Sequence, residues 1–131
     1  MDIFFVSVTW IGSLYVLLPL SMLLCILLLW NGKSGQAIFL FLSLFVTVAS
    51  VHATKLLFRR PRPPATDAMI AMPADWSFPS AHTAQAASFF LSCTVILFQV
   101  FPPTWATIFS IINLLIIACV GCSRVYLHVH Y

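Results

Sequence analysis

Residues 36–63 read QAIFLFLSLFVTVASVHATKLLFRRPRP, an apolar run that ends in cations and prolines. Between residues 36 and 58 the single charged side chain is Lys55. About 20 apolar residues are enough for a helix to cross a bilayer. Pro61 and Pro63 cannot continue that helix, because proline lacks an amide hydrogen and restricts the residue before it. The stretch therefore predicts a transmembrane helix that ends at a cationic surface segment.

The composition of the whole chain is that of a membrane protein. Of the 131 residues, 62% are hydrophobic and 7% are charged, whereas soluble domains are about 45–50% apolar and about 25% charged. Further apolar runs predict the other spans: 3–30, in which 14–30 crosses the bilayer, 80–101 and 104–123. We therefore predict an all-α, polytopic transmembrane bundle of about four spans. The length fits one membrane-embedded domain, residues 1–131.

The polar residues of interest lie in three segments, residues 55–63, 79–82 and 123–130. Charged groups are costly beside lipid, so those that occur near span ends are functional candidates. When successive spans alternate in direction, all three segments emerge at the same membrane face. This basic excess indicates a membrane-bound anion as the ligand. It argues against nucleic acid, because the chain has no polar domain to hold one.

The segment 79–82 reads Pro-Ser-Ala-His and is predicted to lead into a helix. Ser80 suits the N-cap position, where a hydroxyl accepts a hydrogen bond from the first turn. A helix N-terminus offers unpaired amide groups and the positive end of the helix dipole. Such a terminus favours a bound phosphate. His82 would then lie in the first turn, close to the bound anion.

Together, the three segments resemble the type 2 phosphatidic acid phosphatase (PAP2) superfamily, whose relatives include the vanadium haloperoxidases. Residues 55–63 match a Lys, six residues, Arg-Pro motif, and residues 79–82 match Pro-Ser-Gly-His with alanine in place of glycine. Residues 123–130 match Ser-Arg, five residues, His. Each motif alone is weakly specific. All three in order, on one predicted face, make the resemblance strong.

The resemblance implies a catalytic role for two histidines. His130 would be the nucleophile, and His82 would protonate the leaving oxygen and then activate water. The implied phosphate-binding residues are Lys55, Arg62, Ser80, the amide of Ala81, and Arg124. No metal and no other cofactor is implied, because three cations would neutralise the phosphoryl oxygens.

The sequence departs from the family pattern at two points. Ala81 stands in place of the motif glycine, and we expect it to be tolerated at a helix start. The motif aspartate is expected four residues after His130, but the sequence given stops at Tyr131. Against the family's six-span core we therefore interpret the sequence as a truncated form that lacks the C-terminal helix. Asp67 and Asp75 are the candidates to replace the aspartate.

The resemblance implies an integral-membrane phosphatase that hydrolyses a lipid phosphate or diphosphate through a phosphohistidine. The short loop 64–78 favours an isoprenyl (undecaprenyl-type) diphosphate over phosphatidic acid or phosphatidylglycerol phosphate. We expect a bacterial-type cell membrane, with the site near one face. The side that this face occupies and the oligomeric state stay open.

Two other hypotheses stay open beside the phosphatase. The first is a catalytically inactive membrane protein that binds anionic lipid phosphate through the same cations, motivated by the missing aspartate. The second is a metal-binding membrane protein that uses Cys119, Cys122 and His130, because the two cysteines have the spacing of half a zinc site. Cysteines inside apolar runs are more often small buried hydrophobes.

Overall fold

The computed structural model describes residues 2–72, 74–128 and 130, and within them the regular structure is entirely helical. The helices are α1 (Asp2–Ile11), α2 (Leu14–Trp30), α3 (Ser34–Phe58), α4 (Ala81–Val100) and α5 (Pro103–Tyr126). A short 3₁₀ helix, Ala65–Asp67, lies in the loop between α3 and α4. The prediction of an all-α bundle is confirmed.

Three helices, α3, α4 and α5, are each long and apolar enough to cross a membrane. The first two helices, α1 and α2, meet at a bend of 44° and pass the same test together as one broken span. The described part of the chain therefore has three candidate spans, or four when the bent pair counts as one. This agrees with the predicted number of about four.

Local sequence explains where two of the helices, α2 and α4, begin. Ser13 precedes α2, and its hydroxyl accepts a hydrogen bond from the Tyr15 amide at 3.2 Å. Ser80 precedes α4, and its hydroxyl accepts from the Thr83 amide at 3.4 Å. These are N-cap contacts, which satisfy amides that have no partner inside the helix. The predicted cap at Ser80 is confirmed.

The end of α3 is set by the cationic and proline-rich segment. Arg59 adopts a left-handed conformation with φ 46°, and its amide donates to the Lys55 carbonyl at 2.9 Å. The following prolines prevent another helical turn. The chain then folds back over the helix ends, where the Ser77 amide donates to the Arg60 carbonyl at 2.8 Å.

Helix α4 lies at the centre of the bundle, where it packs against α3 and α5. The buried apolar cluster draws side chains from each of the helices α1 to α5, among them Val8, Leu17, Leu40, Phe89 and Val120. A polar contact also joins α4 to α5, because the side-chain Nδ2 of Asn113 donates to the Phe90 carbonyl at 3.2 Å and to Thr94 Oγ1 at 3.1 Å. Hydrogen bonds of this kind hold helices together where water is absent.

Gly12, at the break between α1 and α2, lets that break approach the first turn of α4. A β-carbon placed on Gly12 would lie 2.7 Å from the His82 carbonyl oxygen and 2.8 Å from Val120 Cγ1. Any larger residue would displace one of these neighbours. The absence of a side chain at Gly12 therefore allows the first turn of α4, which contains His82, to lie close to the α1–α2 break.

Candidate active site

The three predicted segments meet at one end of the bundle. Arg62, from the first segment, places its NH1 atom 3.0 Å from Nε2 of His130, from the third segment. Ser80, Arg124 and His130 line one cavity of about 400 Å³. The shared face that the sequence predicted is therefore present. The catalytic and binding roles of these residues remain predictions.

Lys55 lies in the last turn of α3 and is 4% exposed. Its ammonium group donates to the Trp76 carbonyl at 2.6 Å and pairs with Asp75 Oδ2 at 2.7 Å. A buried ammonium group is costly unless it is paired and hydrogen-bonded. Both conditions are met by the loop that leads into α4.

Arg62 connects the same loop to the third segment. Its Nε donates to the Asp75 carbonyl oxygen at 2.8 Å, and its NH2 donates to the Asp75 carboxylate at 2.5 Å. Its NH1 faces His130 Nε2. The planar fork of the guanidinium group therefore spans a carboxylate on one side and an imidazole on the other.

The Asp75 carboxylate is held in its ionised form by this arrangement. Partial burial by itself raises the pKa of Asp75, but hydrogen bonds from Lys55 and Arg62, together with their positive charges, hold the pKa below its usual range. Both carboxylate oxygens are engaged, Oδ2 by Lys55 and Oδ1 by Arg62. Asp75 therefore does not take the place suggested for it beside His130. The side chain of Asp67, the other candidate, lies outside the described residues.

His130 is 7% exposed and has a defined hydrogen-bonding pattern. Guanidinium N–H groups only donate, so the Nε2 atom that faces Arg62 must be the acceptor. The proton of the neutral ring is then on Nδ1. Burial, followed by the neighbouring cations with Arg62 first, lowers the pKa of His130 to about 3, while a hydrogen bond to the Ser77 backbone opposes this shift. At neutral pH the imidazole is uncharged and keeps the Nε2 lone pair that a nucleophile requires.

Arg124 lies near the end of α5 and is 3% exposed. Its NH1 donates to Thr9 Oγ1 of α1 at 3.1 Å. Its Nε is buried and has no hydrogen-bond partner among the residues that the structure describes. An unsatisfied buried donor costs about 1–3 kcal/mol. Since Arg124 also lines the cavity, its position fits a ligand that supplies acceptor oxygens.

The first turn of α4 borders the same region. Ala81 is the first residue of the helix, and His82 follows in the first turn, as predicted. His82 lies near enough to Arg124 and Arg62 to sense their charges. The helix N-terminus, with its unpaired amides and positive dipole end, adds to the positive potential of the cavity. Anionic groups are therefore favoured here.

Several contacts around the site were not predicted from the sequence. They come from the Thr9 hydroxyl, the absent side chain of Gly12, the Trp76 carbonyl and the Ser77 backbone. Two of the four are backbone groups, which carry no sequence signal. Thr9 is one of the few polar residues in the first apolar run, and this rarity is the one signal that could have indicated it.

The cysteine pair receives no support as a metal site. Cys119 and Cys122 are both exposed on α5, whereas His130 is buried. Within residues 2–72, 74–128 and 130, no group of three or more His, Cys, Asp or Glu side chains is arranged to hold a metal ion.

Comparison with known proteins agrees with this architecture. Residues 36–131 match the family model of the PAP2 superfamily. The fold is also similar to the crystal structure of a transmembrane PAP2-type phosphatidylglycerolphosphate phosphatase from Bacillus subtilis, with a TM-score of 0.90 and 26% sequence identity. That match covers 98% of this chain and 64% of the other, so this chain spans less than two thirds of its length. A search of curated proteins found no match. With its apolar helices and this match over most of its length, the chain is an integral membrane protein that belongs to the PAP2 superfamily.

Proposed function

We propose that the protein is a phosphatase that hydrolyses a lipid phosphate or diphosphate through a phosphohistidine on His130. Membership of the PAP2 superfamily and the phosphatase activity of the structural neighbour support this assignment. The observation that carries this proposal is the protonation state of His130. Its neutral ring keeps an Nε2 lone pair inside a cationic cavity, beside Arg62 and Arg124.

The surroundings of His130 suit a phosphoryl group. Arg124 brings a guanidinium Nε that has no hydrogen-bond partner in the described part of the chain, and the N-terminus of α4 brings amides and a positive dipole. In phosphoryl transfer, catalysis depends on positioning and on neutralising charge at the equatorial oxygens. Arginine suits this task because its fork binds two oxygens at once.

We propose two chemical steps. In the first, Nε2 of His130 bonds to phosphorus while the bond from phosphorus to the lipid-side oxygen breaks, and His82 donates a proton to that oxygen. In the second, His82 accepts a proton from water, the water oxygen bonds to phosphorus, and the phosphorus–nitrogen bond breaks. Inorganic phosphate leaves and both histidines return to their starting states. The cations balance the charge throughout, so the proposed reaction is metal-independent.

The lipid nature of the leaving group is part of the proposal. The site lies where apolar helices end, and its cavity also has apolar lining from Phe78, Ala87 and Val125. The short loop 64–78 favours an isoprenyl diphosphate, whereas the neighbour's activity favours a glycerolipid such as phosphatidylglycerol phosphate. Phosphatidic acid is the third candidate. A competition assay among the three lipids orders them, and we propose a bacterial-type cell membrane as the location.

The decisive experiment measures phosphate release by the purified chain in detergent, with a chelator present. His130→Ala is expected to lower turnover by at least about 10³-fold, since removing a nucleophile has effects of this size. The matched control is His128→Asn, two residues away. His128 is exposed and has φ 56°, a conformation that asparagine tolerates. Equal turnover by the His130→Ala variant and the wild-type protein would contradict the proposal.

A second candidate function is the binding of anionic lipid phosphate without hydrolysis. The observation that favours it is the contact between Arg62 and His130, because a donor at 3.0 Å occupies the Nε2 lone pair. This candidate predicts saturable binding of lipid phosphate with no phosphate release. Trapping of a labelled, acid-labile phosphoryl group on the wild-type protein, absent from His130→Ala, would exclude it.

A further inference from the structure

The carboxylate of Asp75 occupies the two cations that the family resemblance assigns to phosphate. Its Oδ2 lies 2.7 Å from Lys55 Nζ, and its Oδ1 lies 2.5 Å from Arg62 NH2. Phosphate oxygens bind ammonium and guanidinium groups in the same way as carboxylate oxygens, through charge-assisted hydrogen bonds. One side chain of the protein is therefore bound where an anionic substrate group is expected.

The two sides of this ion pair differ in burial. The side chains of Lys55 and Arg62 are 5% and 8% exposed, whereas the side chain of Asp75 is 48% exposed. The cations are enclosed by the bundle, and the carboxylate reaches them from a loop at the surface. When the carboxylate leaves, water replaces its own hydrogen bonds, but the buried cations must be paired with another anion. Buried cations cannot leave, so Asp75 is the partner that an incoming anion displaces.

The same ion pair affects the proposed nucleophile. Arg62 donates through NH2 to Asp75 and through NH1 to His130 Nε2, at 3.0 Å. The guanidinium group is planar and rigid, so its position at the carboxylate also determines its position at the imidazole. While Asp75 holds Arg62 in this place, the Nε2 lone pair is occupied and cannot attack phosphorus.

We propose that Asp75 is an intramolecular competitor of the substrate phosphate, which keeps the site closed until a phosphate group displaces it. Phosphate takes over Lys55 and Arg62, the guanidinium group turns toward the phosphoryl oxygens, and His130 Nε2 becomes available. This inference rests on the proposed function, because it uses the same cations and the same nucleophile. It adds a residue that sets phosphate affinity and couples substrate binding to release of the nucleophile.

A purely structural ion pair predicts a different result. If Asp75 serves only to neutralise buried cations, its loss leaves Lys55 and Arg62 less well placed, and phosphate binding weakens or stays the same. If Asp75 competes, its loss makes phosphate bind more tightly. The two readings therefore differ in the sign of the change in affinity.

The test is the affinity of the full chain for inorganic phosphate, measured directly by ³¹P NMR titration in detergent. Asp75→Asn is expected to bind phosphate about tenfold more tightly, since a hydrogen bond to a charged group is worth about that factor. The matched control is Asp2→Asn, which changes the net charge equally at a residue bonded to Tyr126. Asp2→Asn is expected to leave the affinity unchanged. Unchanged or weaker binding by Asp75→Asn would overturn the proposal.

Hydrogen exchange of the wild-type protein tests the displacement without any substitution. The Ser77 amide, which donates to Arg60, lies in the loop that carries Asp75. Saturating inorganic phosphate is expected to speed exchange at residues 74–78, and slower or unchanged exchange would overturn the proposal. Tighter phosphate binding by Asp75→Asn, with no lipid phosphate turnover by either protein, would support the competition and overturn the proposed function together with the release of the nucleophile. Failure of both proteins to bind inorganic phosphate would overturn the competition, and the turnover assay decides the proposed function separately.

Discussion

Replacement of Gly12 by alanine tests whether the contact between the α1–α2 break and α4 positions His82, the proposed proton donor. The added β-carbon would lie 2.7 Å from the His82 carbonyl oxygen, and ordinary contact begins at 3.4 Å. The first turn of α4, or the break itself, must therefore retreat by about 0.7 Å. The second neighbour, Val120 Cγ1 at 2.8 Å, is fully buried, so it can move only by displacing other core atoms.

The size of the effect follows from this displacement. Overpacking of a core typically costs about 1–3 kcal/mol of stability. A misplacement of about 1 Å in a catalytic group can cost about 10²-fold in rate. We therefore expect Gly12→Ala to lower kcat by about tenfold or more, with a lower unfolding temperature in detergent.

The assay compares phosphate release and thermal unfolding of Gly12→Ala with one glycine control. A β-carbon placed on Gly35, in the first turn of α3, meets nothing within 4 Å. Gly35→Ala should keep wild-type turnover, because helical alanine is favoured over glycine. Wild-type turnover and stability in Gly12→Ala would refute the reasoning that this break positions His82.

Two further predictions concern the Thr9 hydroxyl, which accepts a hydrogen bond from Arg124, and the charge on His130. Thr9→Val removes the acceptor at 3.1 Å from Arg124 NH1 and leaves a second buried donor unpaired. An unsatisfied buried donor costs about 1–3 kcal/mol, so we expect KM to rise about five- to 150-fold. Thr9→Ser should restore KM, and a Thr9→Val enzyme with wild-type KM would contradict this role. For His130, a pKa lowered to about 3 means that the ring stays neutral as the pH falls through 6.5. The acid limb of kcat/KM that reports this ring should therefore lie below about pH 5, and titration of the His130 ring near pH 6.5, followed by NMR, would contradict it.

The spans and their limits followed from the sequence because the signals for them are local. An apolar run that ends at Pro61 and Pro63 can form only one kind of element in a bilayer, and the structure ends α3 at Phe58. Ser80 was predicted as an N-cap from its hydroxyl and its place before an apolar run, and it caps α4. Alternation of the spans was enough to predict that the segments around Lys55, His82 and His130 share one face.

The contacts inside the site depended on tertiary structure, because their partners are distant in the chain. Arg62 meets His130 across 68 positions, and Arg124 meets Thr9 across 115. No local pattern encodes such pairs. They form when helix packing brings the ends of α1, α3 and α5 to one place.

Asp75 is the clearest example of the difference between what local sequence predicts and what tertiary contacts decide. From the sequence it was one of two acids in a polar loop, and it was considered as a partner for His130. The structure places it on Lys55 and Arg62 instead, because those buried cations have to be neutralised and the loop from α3 to α4 brings this acid within reach. The sequence by itself indicated the candidate membrane spans, the resemblance to the family and the three segments that form the candidate site. Only the tertiary structure decided which charges pair with which, because ion pairing depends on distance and burial rather than on order along the chain.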